Sequence, residues 1–556
     1  MPNPGLDSAR EVVAAVNSGK MTMAELDTAI TPLLEAVLYF RTVKKEEGIR
    51  EEEHHAAARK AAAASAVLLK NDGGILPLKA GTKVAVIGDF AVTPRYQGAG
   101  SSVVNATKVE SIQSVISEYD LKLAGIEAGY ARNTTELVKE NLDKAIALAK
   151  DSDVVLYFFG LDEISESEGA DRTHMKLPKV QSELLEKLAA ANSKIVGVLS
   201  AGSAIEVPWL GSTKALLHTY LGGQAGASAA MDLLTGKVNP SGKLAETFPV
   251  KYEDVSVYNY SETEPRNLVY KEGPFIGYRY YDTCKVPVTF PFGFGLSYTT
   301  FAYSDLSADA KGVSFTLTNT GAVDGAEVCQ LYIGLKDSMV LRPAKELKGF
   351  AKVFLKAGES RKVTIAFDDK SFRFFNVKSS QWEIESGSYD LYVGASSADI
   401  RLTGAIAVKG NATEAPYILS EIPTYVSGDI QNIPDSEFEV LYGQSIPKET
   451  KRELNINDAI CQLKDAKSGI CRLVYKVLKG KLDKANASGK PDLNILFVYN
   501  MPFRATSKMS GGLVSREMSE NIVKIANGHF FGGLGGLIAG FFRNSSANKA
   551  YEKKLN

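Results

Sequence analysis

The sequence predicts a multidomain protein in which an α/β sandwich is followed by an all-β sandwich and a helical tail. The α/β sandwich is expected to hold an open, mostly parallel sheet with helices on both faces, because strand and helix patterns alternate over residues 61–250. Short strands of alternating polarity follow over residues 304–410, and partly helical, lysine-rich patterns occupy residues 411–556. A chain of 556 residues is also too long for a single hydrophobic core.

Three continuous apolar segments rich in β-branched residues predict the central strands of the α/β sandwich. They are KVAVIGDF (83–90), DVVLYFFG (153–160) and KIVGVLS (194–200), and such runs are typical of a sheet that is buried on both faces. Helical patterns with apolar residues three and four apart lie between them, over residues 135–150 and 179–192. Because ligands of open α/β sheets bind outside the carboxyl ends of the strands, the segments that follow these strands are candidate sites.

Residues 1–60 are predicted to be helical. Thr22 and Glu25 form the pattern of a capping box, and apolar residues follow at helical spacing, but Pro32 is expected to kink or interrupt this helix. Further along the chain, residues 251–303 are rich in tyrosine, proline and glycine and are predicted to form an ordered connector.

Period-two alternation predicts the strands of the all-β sandwich. Val313, Phe315 and Leu317 would face one way and the polar residues between them the other, and the pattern recurs at residues 362–367 and 388–394. Several short strands separated by Gly, Asp and Asn turns over about 100 residues are typical of two packed sheets.

Two features of the tail invite a functional interpretation. Residues 446–556 contain 19 Lys or Arg against 9 Asp or Glu, but no recognition motif accompanies these charges and they are dispersed along helical patterns. A solvated helical face is therefore favoured over an anionic partner, and no nucleic acid is expected. The apolar segment FFGGLGGLIAGFF (530–542) is shorter than the roughly 20 residues that span a bilayer, so a packing or loop segment is favoured over membrane contact and no transmembrane segment is expected.

Composition excludes several classes of protein. The formal net charge of -1 gives the whole chain no reason to bind polyanions, and the four cysteines show neither a CxxC pair nor a metal-ligand spacing. The glycines of YQGAGSS (96–102) do not match a dinucleotide-binding motif, and the five histidines form no ligand pattern, so no metal and no cofactor are expected. The start of the chain shows no secretory signal, and a reducing, cytoplasmic location is the expectation.

The segment DEISESEGADRTHMKLP (162–178) directly follows the second of these predicted strands. Its five carboxylates, Asp162, Glu163, Glu166, Glu168 and Asp171, are close enough along the chain to repel one another, so at least one should have a raised pKa unless it is solvated or paired. A carboxylic acid that keeps its proton near neutral pH can act as a general acid. Acidic loops are also common on protein surfaces, so a solvated loop and a catalytic loop both remain open on this spacing.

Seven motifs follow one another along the chain: ASAVLLKNDGGILPL (64–78), VAVIGDF (84–90), SEGADRTHMKLP (167–178), YLGGQAGASAAMDLLTGKVNPSGKLAETFP (220–249), GYRYYD (277–282), FPFGFGLSYT (290–299) and RPAKELKGF (342–350). Together they closely resemble, in the same order, the C-terminal half of β-glucosidases of glycoside hydrolase family 3. The resemblance covers about residues 5–408. It implies an α/β sandwich domain (61–250), a connector (251–303) and a fibronectin-type-III-like β-sandwich (304–410).

The resemblance also implies a retaining mechanism, in which two carboxylates about 5 Å apart flank the glycosidic bond as nucleophile and acid/base. The family's acid/base is a glutamate on a mobile loop of the α/β sandwich, in an S-x-E-G context before DR, which places it on Glu168. Asp171 and Arg172 match the DR and would order the loop. Glu166 and Glu163 are the alternatives to Glu168.

The family's nucleophile is an aspartate on a preceding (β/α)8 barrel, and no segment of this sequence resembles it. Residues 1–60 resemble closing helices of that barrel and a linker, so no nucleophile is expected in this chain. We therefore expect a truncated, C-terminal portion of a β-glucosidase-type hydrolase that acts on β-linked oligosaccharides or glycosides with a barrel from a separate chain. The alternatives are a non-catalytic scaffold that binds carbohydrate or protein, and the product of an interrupted gene.

Overall fold

The computed structural model describes residues 5–43, 50–132, 134–168, 172–260, 268–447, 452–487 and 492–555. The chain divides into two compact units. The larger unit is Glu51–Glu449, and the smaller, helical unit combines Met1–Arg50 with Thr450–Asn556.

The helices occur in both units and are numbered along the chain. They are α1 (Gly5–Asn17), α2 (Met23–Thr42), α3 (Glu51–Ser65), α4 (Ile112–Val115), α5 (Lys139–Lys150), α6 (Lys179–Ala191), α7 (Gly226–Leu234), α8 (Tyr278–Cys284), α9 (Pro423–Ser427), α10 (Asp435–Tyr442), α11 (Gly469–Ala487), α12 (Leu493–Asn500), α13 (Ala505–Met509), α14 (Arg516–Ala526) and α15 (Phe530–Leu555).

The strands of the described residues all lie in the larger unit. They are β1 (Val67–Asn71), β2 (Lys83–Ile87), β3 (Lys122–Glu127), β4 (Val154–Gly160), β5 (Ile195–Ser200), β6 (Ala215–His218), β7 (Phe248–Pro249), β8 (Val288–Phe290), β9 (Phe301–Asp309), β10 (Gly312–Asn319), β11 (Gly325–Gly334), β12 (Glu346–Leu355), β13 (Ser360–Ala366), β14 (Arg373–Asn376), β15 (Gln381–Ile384), β16 (Gly387–Gly394) and β17 (Ile400–Val408).

The first six strands form one sheet in the order β1-β6-β5-β4-β2-β3. Strands β2 to β6 pair in parallel, and β1 pairs with β6 in the antiparallel sense. Every residue of the central strand β4 is buried, as expected for a strand covered on both sides. The predicted open, mostly parallel sheet is confirmed, with an antiparallel strand at one edge.

Helices cover both faces of this sheet through two separate apolar layers. Alternate residues of β4 enter the two layers. Tyr157 lies in the layer that contains α5 and α6, and Leu156 lies in the layer that contains α3, α4 and α7. Buried side chains of the layers include Leu184 of α6 and Met231 of α7. The prediction of helices on both faces is therefore confirmed.

The all-β sandwich consists of a three-stranded sheet, β13-β10-β9, and a four-stranded sheet, β12-β11-β16-β17. Val313, Phe315 and Leu317 of β10 are buried in the core between them, as their alternation predicts. The separate hairpin β14–β15 adds a two-stranded sheet to this domain. The predicted sandwich is confirmed.

The helix α2 of the smaller unit begins with the predicted capping box. The Thr22 hydroxyl accepts a hydrogen bond from the Glu25 amide, and the Glu25 carboxylate accepts one from the Thr22 amide at 2.8 Å. The expected interruption at Pro32 does not occur, because α2 continues without a break from Met23 to Thr42. Proline removes one backbone hydrogen bond, and a helix of 20 residues retains enough others to continue.

The glycine-rich segment 530–542 begins α15, where its glycines allow α14 to approach closely. A Cβ at Gly533 would lie 2.5 Å from the Ile525 side chain, and one at Gly536 would lie 2.5 Å from the Asn521 side chain. These two glycines, three residues apart, therefore serve helix packing here. Among the described residues, no helix combines the length and the apolar character needed to cross a bilayer.

Candidate functional site

The acidic segment leaves the carboxyl end of β4, beside the segments that follow β2 and β5. Strand β4 ends at Gly160, where φ is 150° and a Cβ would lie 1.8 Å from the Ser200 carbonyl oxygen. Only glycine fits this approach of the two strands. Because β2 and β5 flank β4 in the sheet, Ser101 and Ser203 from their following segments reach the acidic loop from its two sides.

Glu168 lies at the exposed end of the described part of the loop and binds Ser101. The Ser101 amide and hydroxyl donate to the same Glu168 oxygen, Oε2, at 2.6 and 2.5 Å. The Glu168 amide donates in turn to the Ala99 carbonyl at 3.2 Å. These contacts join two loops that are 67 residues apart in the sequence.

The hydrogen bonds from Ser101, first from its hydroxyl and then from its amide, hold the pKa of the Glu168 carboxyl below its usual range. Glu168 is thus both exposed and paired, which are the conditions under which no raised pKa was expected. The physical reason is that donors stabilise the ionised form while the exposed carboxylate loses little hydration.

Each of the other described carboxylates has a donor of its own. Glu166 accepts from the Gly202 amide at 2.8 Å and from the Ser203 hydroxyl at 2.6 Å. Glu163 pairs with Arg132 at 3.0 Å. Asp162 is buried and accepts from the Ser165 amide and hydroxyl, each at 2.8 Å. Each carboxylate is thus stabilised by its own donor, which offsets the mutual repulsion expected from the sequence.

Arg172 ties the far end of the loop to the segment after β5. Its Nη2 donates to the Ala204 carbonyl at 3.0 Å, and its own carbonyl accepts from the Tyr252 hydroxyl at 3.5 Å. Within the described chain, Nη1 of Arg172 is buried without a hydrogen-bond acceptor. Asp171, which was also expected to order the loop, lies outside the described residues, so its role stays a prediction.

Sequence reasoning missed three residues of this region. Ser101 belongs to the YQGAGSS segment, whose glycines resemble a dinucleotide-binding motif only weakly and give no sign of a contact with the acidic loop. No sequence pattern pointed to Ser203. Glu246 lies in the motif of residues 220–249, and burial raises the pKa of its carboxyl, with the nearby Glu166 charge adding to the effect and Arg172 opposing it. The carboxyl with a raised pKa in this region therefore lies outside the acidic loop.

The arrangement offers one exposed carboxylate on a loop held at both sides. Glu168 is exposed, whereas Glu163 and Glu166 are partly buried and engaged by Arg132 and Ser203. An exposed carboxylate at the carboxyl edge of a parallel sheet can give a proton to a bound ligand or take one from it.

Two family models match the larger unit. The glycosyl hydrolase family 3 C-terminal domain matches residues 66–298, and the fibronectin type III-like domain matches residues 327–397. Both matches agree with the observed order of an α/β domain and a β-sandwich.

Curated relatives extend the similarity beyond these domains. The chain is 38% identical over 539 residues to thermostable beta-glucosidase B of Acetivibrio thermocellus, which covers 95% of this chain and 67% of that protein. It is 42% identical over 432 residues to an exo-alpha-(1->6)-L-arabinopyranosidase of Bifidobacterium breve, covering 75% of this chain and 57% of that protein.

Solved structures show the same fold. The GH3 beta-glucosidase of Bifidobacterium adolescentis has a TM-score of 0.69 and 40% identity, over 74% of this chain and 62% of that one. DesR, a beta-glucosidase of Streptomyces venezuelae, has a TM-score of 0.66 and 26% identity, over 72% of this chain and 66% of that one. The chain thus spans between about half and two thirds of the length of these proteins.

Proposed function

Because the chain belongs to glycoside hydrolase family 3, we propose that it supplies the acid/base part of a retaining β-glycosidase site, with Glu168 as the acid/base. The observation that carries the proposal is the exposed position of the Glu168 carboxylate on a loop held from both sides. Glu163 and Glu166 are less suitable, since both are less exposed than Glu168 and Glu163 is also ion-paired with Arg132.

In the proposed reaction Glu168 acts twice. It first protonates the glycosidic oxygen while a second carboxylate attacks the anomeric carbon, and it then removes a proton from the water that releases the sugar. The described strands form an open sheet, a sandwich and short two-stranded pairs, so the described residues contain no closed eight-stranded barrel. The proposal therefore assigns the nucleophile to a (β/α)8 barrel outside them.

Glu168 must gain a proton before the first step, although Ser101 favours its ionised form. A bound sugar would remove water from the carboxyl, and the negative nucleophile would disfavour a second charge nearby. Both effects raise the pKa of a carboxyl. The conformation bound to Ser101 is accordingly assigned to the resting state, and the proton is taken up when substrate binds.

Glu166 and Arg172 are positioning residues in this proposal. Glu166 anchors the middle of the loop through Gly202 and Ser203, and Arg172 anchors its end through Ala204. Neither side chain takes over the proton transfer assigned to Glu168. Both act only by fixing the geometry of the loop.

The proposed substrate class is a β-linked glycoside or oligosaccharide. The relatives named above include both beta-glucosidases and an exo-alpha-(1->6)-L-arabinopyranosidase at comparable identity. Similarity in this part of the chain therefore does not select the sugar, and the proposal assigns that choice to the barrel.

Complementation tests the proposal. The full chain is mixed with a (β/α)8 barrel from a family 3 β-glucosidase and assayed on an aryl β-glucoside with a poor leaving group. Activity should appear only in the mixture, and Glu168→Gln should lower kcat/KM about 100- to 10,000-fold because the general acid is lost. Glu163→Gln is the matched control and should retain most of the activity.

The same barrel mixed with the C-terminal half of its own protein is the positive control. If that mixture is active and the mixture with this chain is not, the proposal is wrong. It is equally wrong if Glu168→Gln and the wild-type chain restore the same activity.

A further inference from the structure

A cleft in the β-sandwich part of the larger unit combines exposed aromatic surface with several cations. The hairpin β14–β15 forms one wall, and the loop 340–343 and the start of β12 form the other. Its volume of about 430 Å³ lies within the range of small-molecule sites, about 300–1,000 Å³. Glu168 is not among the residues that line it.

Trp382 is the largest aromatic side chain that lines the cleft. The hairpin register places it opposite Phe375, with ring centroids 5.4 Å apart. Trp382 is 55% exposed and Phe375 is 46% exposed, whereas Trp209, the other tryptophan of the chain, is buried. Exposed aromatic clusters of this kind are typical of binding sites, because they cost hydration free energy until a ligand covers them.

Four cations line the same cleft, against one carboxylate, Glu346; the cations are Arg342, Lys348, Lys370 and Arg373. The Arg373 guanidinium lies 4.3 Å from the centre of the Trp382 ring, so charge and aromatic surface belong to one patch. Three of these cations have a carboxylate partner, since Arg342 pairs with Glu385, Arg373 with Asp369 and Lys348 with Glu346, and Lys370 adds one further positive charge to the lining.

The arginines of the cleft are fixed in orientation. Glu385 is buried and accepts from Arg342 Nε at 2.8 Å, and Arg342 lies 5.3 Å from the Phe374 ring. Asp369 accepts from Arg373 Nη1 at 2.5 Å. A guanidinium held in this way keeps donors in a fixed plane, which suits recognition of a carboxylate.

We propose that this cleft binds a uronate-bearing oligosaccharide, with a sugar ring stacked on Trp382 and the uronate carboxylate paired with Arg373 and Lys370. A pyranose ring offers an apolar C–H face that matches an aromatic surface, and a carboxylate matches the guanidinium of Arg373 and the ammonium of Lys370. A neutral glucan would use the aromatic surface and offer no charge to Arg373 and Lys370. The proposal is independent of the role of Glu168, because the site lies in another domain.

The test is titration of the full chain with a xylo-oligosaccharide that carries one glucuronate, and with the same oligosaccharide without it. Binding is followed by tryptophan fluorescence, which reports on Trp382 because Trp209 is buried. The glucuronate probe should bind saturably and at least about tenfold more tightly than the neutral one, and NaCl should weaken this binding.

Two variants and one control locate the site. Trp382→Ala should lose roughly tenfold or more in affinity for both probes, measured by calorimetry, as expected for an aromatic anchor. Arg373→Gln should bring the glucuronate probe close to the neutral one and remove the salt dependence. Phe350→Ala, at an exposed aromatic residue of the same domain outside the cleft, should bind as the wild type does.

Several results would overturn the proposal. These are no saturable binding of the glucuronate probe, equal affinity for both probes, or wild-type affinity in Trp382→Ala. Tighter binding of a single-stranded oligonucleotide of equal charge would assign the cleft to nucleic acid instead. Because none of these assays measures hydrolysis, failure of the complementation test leaves this outcome unaffected.

Discussion

Ser101 donates both its amide and its hydroxyl hydrogen to one oxygen of Glu168. The contact joins the loop after β2 to the loop after β4, and it lowers the pKa of the proposed acid/base. A residue outside the acidic loop thus controls the protonation of the carboxylate on which the proposed chemistry depends.

Ser101→Ala should move the basic limb of the kcat/KM profile of the complemented enzyme to higher pH. The Ser101 hydroxyl favours the ionised carboxylate, so its removal raises the pKa of Glu168 and the protonated acid persists to higher pH. The measurement is the pH dependence of kcat/KM on an aryl β-glucoside. Ser203→Ala, which removes a donor to Glu166, is the control and should leave this limb in place; a shift to lower pH in Ser101→Ala would contradict the assignment.

The effect of a Gly→Ala substitution in α15 on stability should depend on how close that glycine lies to α14. Gly536→Ala places a methyl group within 2.5 Å of Asn521 and should destabilise the helix pair by about 1–3 kcal/mol through overpacking. Gly535→Ala meets no atom within 4 Å and should be neutral or stabilise the helix by up to about 1 kcal/mol. Hydrogen exchange of the α14 and α15 amides measures both effects, and equal protection in the two variants would be evidence against the packing.

His218 should make the α/β domain less stable in mild acid. Burial lowers the pKa of this histidine from 6.5 to about 4, and its Nε2 has no hydrogen-bond partner within the described chain. Between these two values the unfolded chain binds a proton that the folded domain does not, so stability falls as pH falls. The slope should reach about 1.4 kcal/mol per pH unit.

Urea unfolding at pH values from 4 to 6.5, followed by Trp209 fluorescence in a Trp382→Phe background, measures this slope. The dependence of stability on pH should become weaker in His218→Gln. It should stay unchanged in His54→Gln, where the histidine is exposed. An unchanged slope in His218→Gln would show that other groups cause the pH dependence.

The central strands were predictable because burial on both faces leaves a continuous apolar run, as in β2, β4 and β5. Strand β3 is partly exposed and lacks such a run, and the short β1 and β6 lie outside the three predicted segments. Pro32 shows the reverse case, since a local rule predicted that it would kink or interrupt the helix, and no interruption occurs.

The site was predictable only in part. Its position followed from the place of the acidic segment after a buried strand, and the choice of Glu168 followed from the family motif. Its partner Ser101 could not be predicted, because the contact depends on β2 and β4 being neighbours in the sheet. The raised pKa of Glu246 could not be predicted either, since its burial depends on tertiary packing that charge spacing does not report.

Azide rescue tests the central claim, the acid/base role of Glu168, most directly. In the complemented enzyme, Glu168→Ala should hydrolyse an activated aryl β-glucoside slowly, because the glycosyl intermediate lacks its general base. Added azide needs no base, so it should accelerate turnover and yield the β-glycosyl azide. Glu163→Ala should show no such acceleration. Absence of the β-glycosyl azide with Glu168→Ala, or its appearance with Glu163→Ala instead, would contradict the assignment.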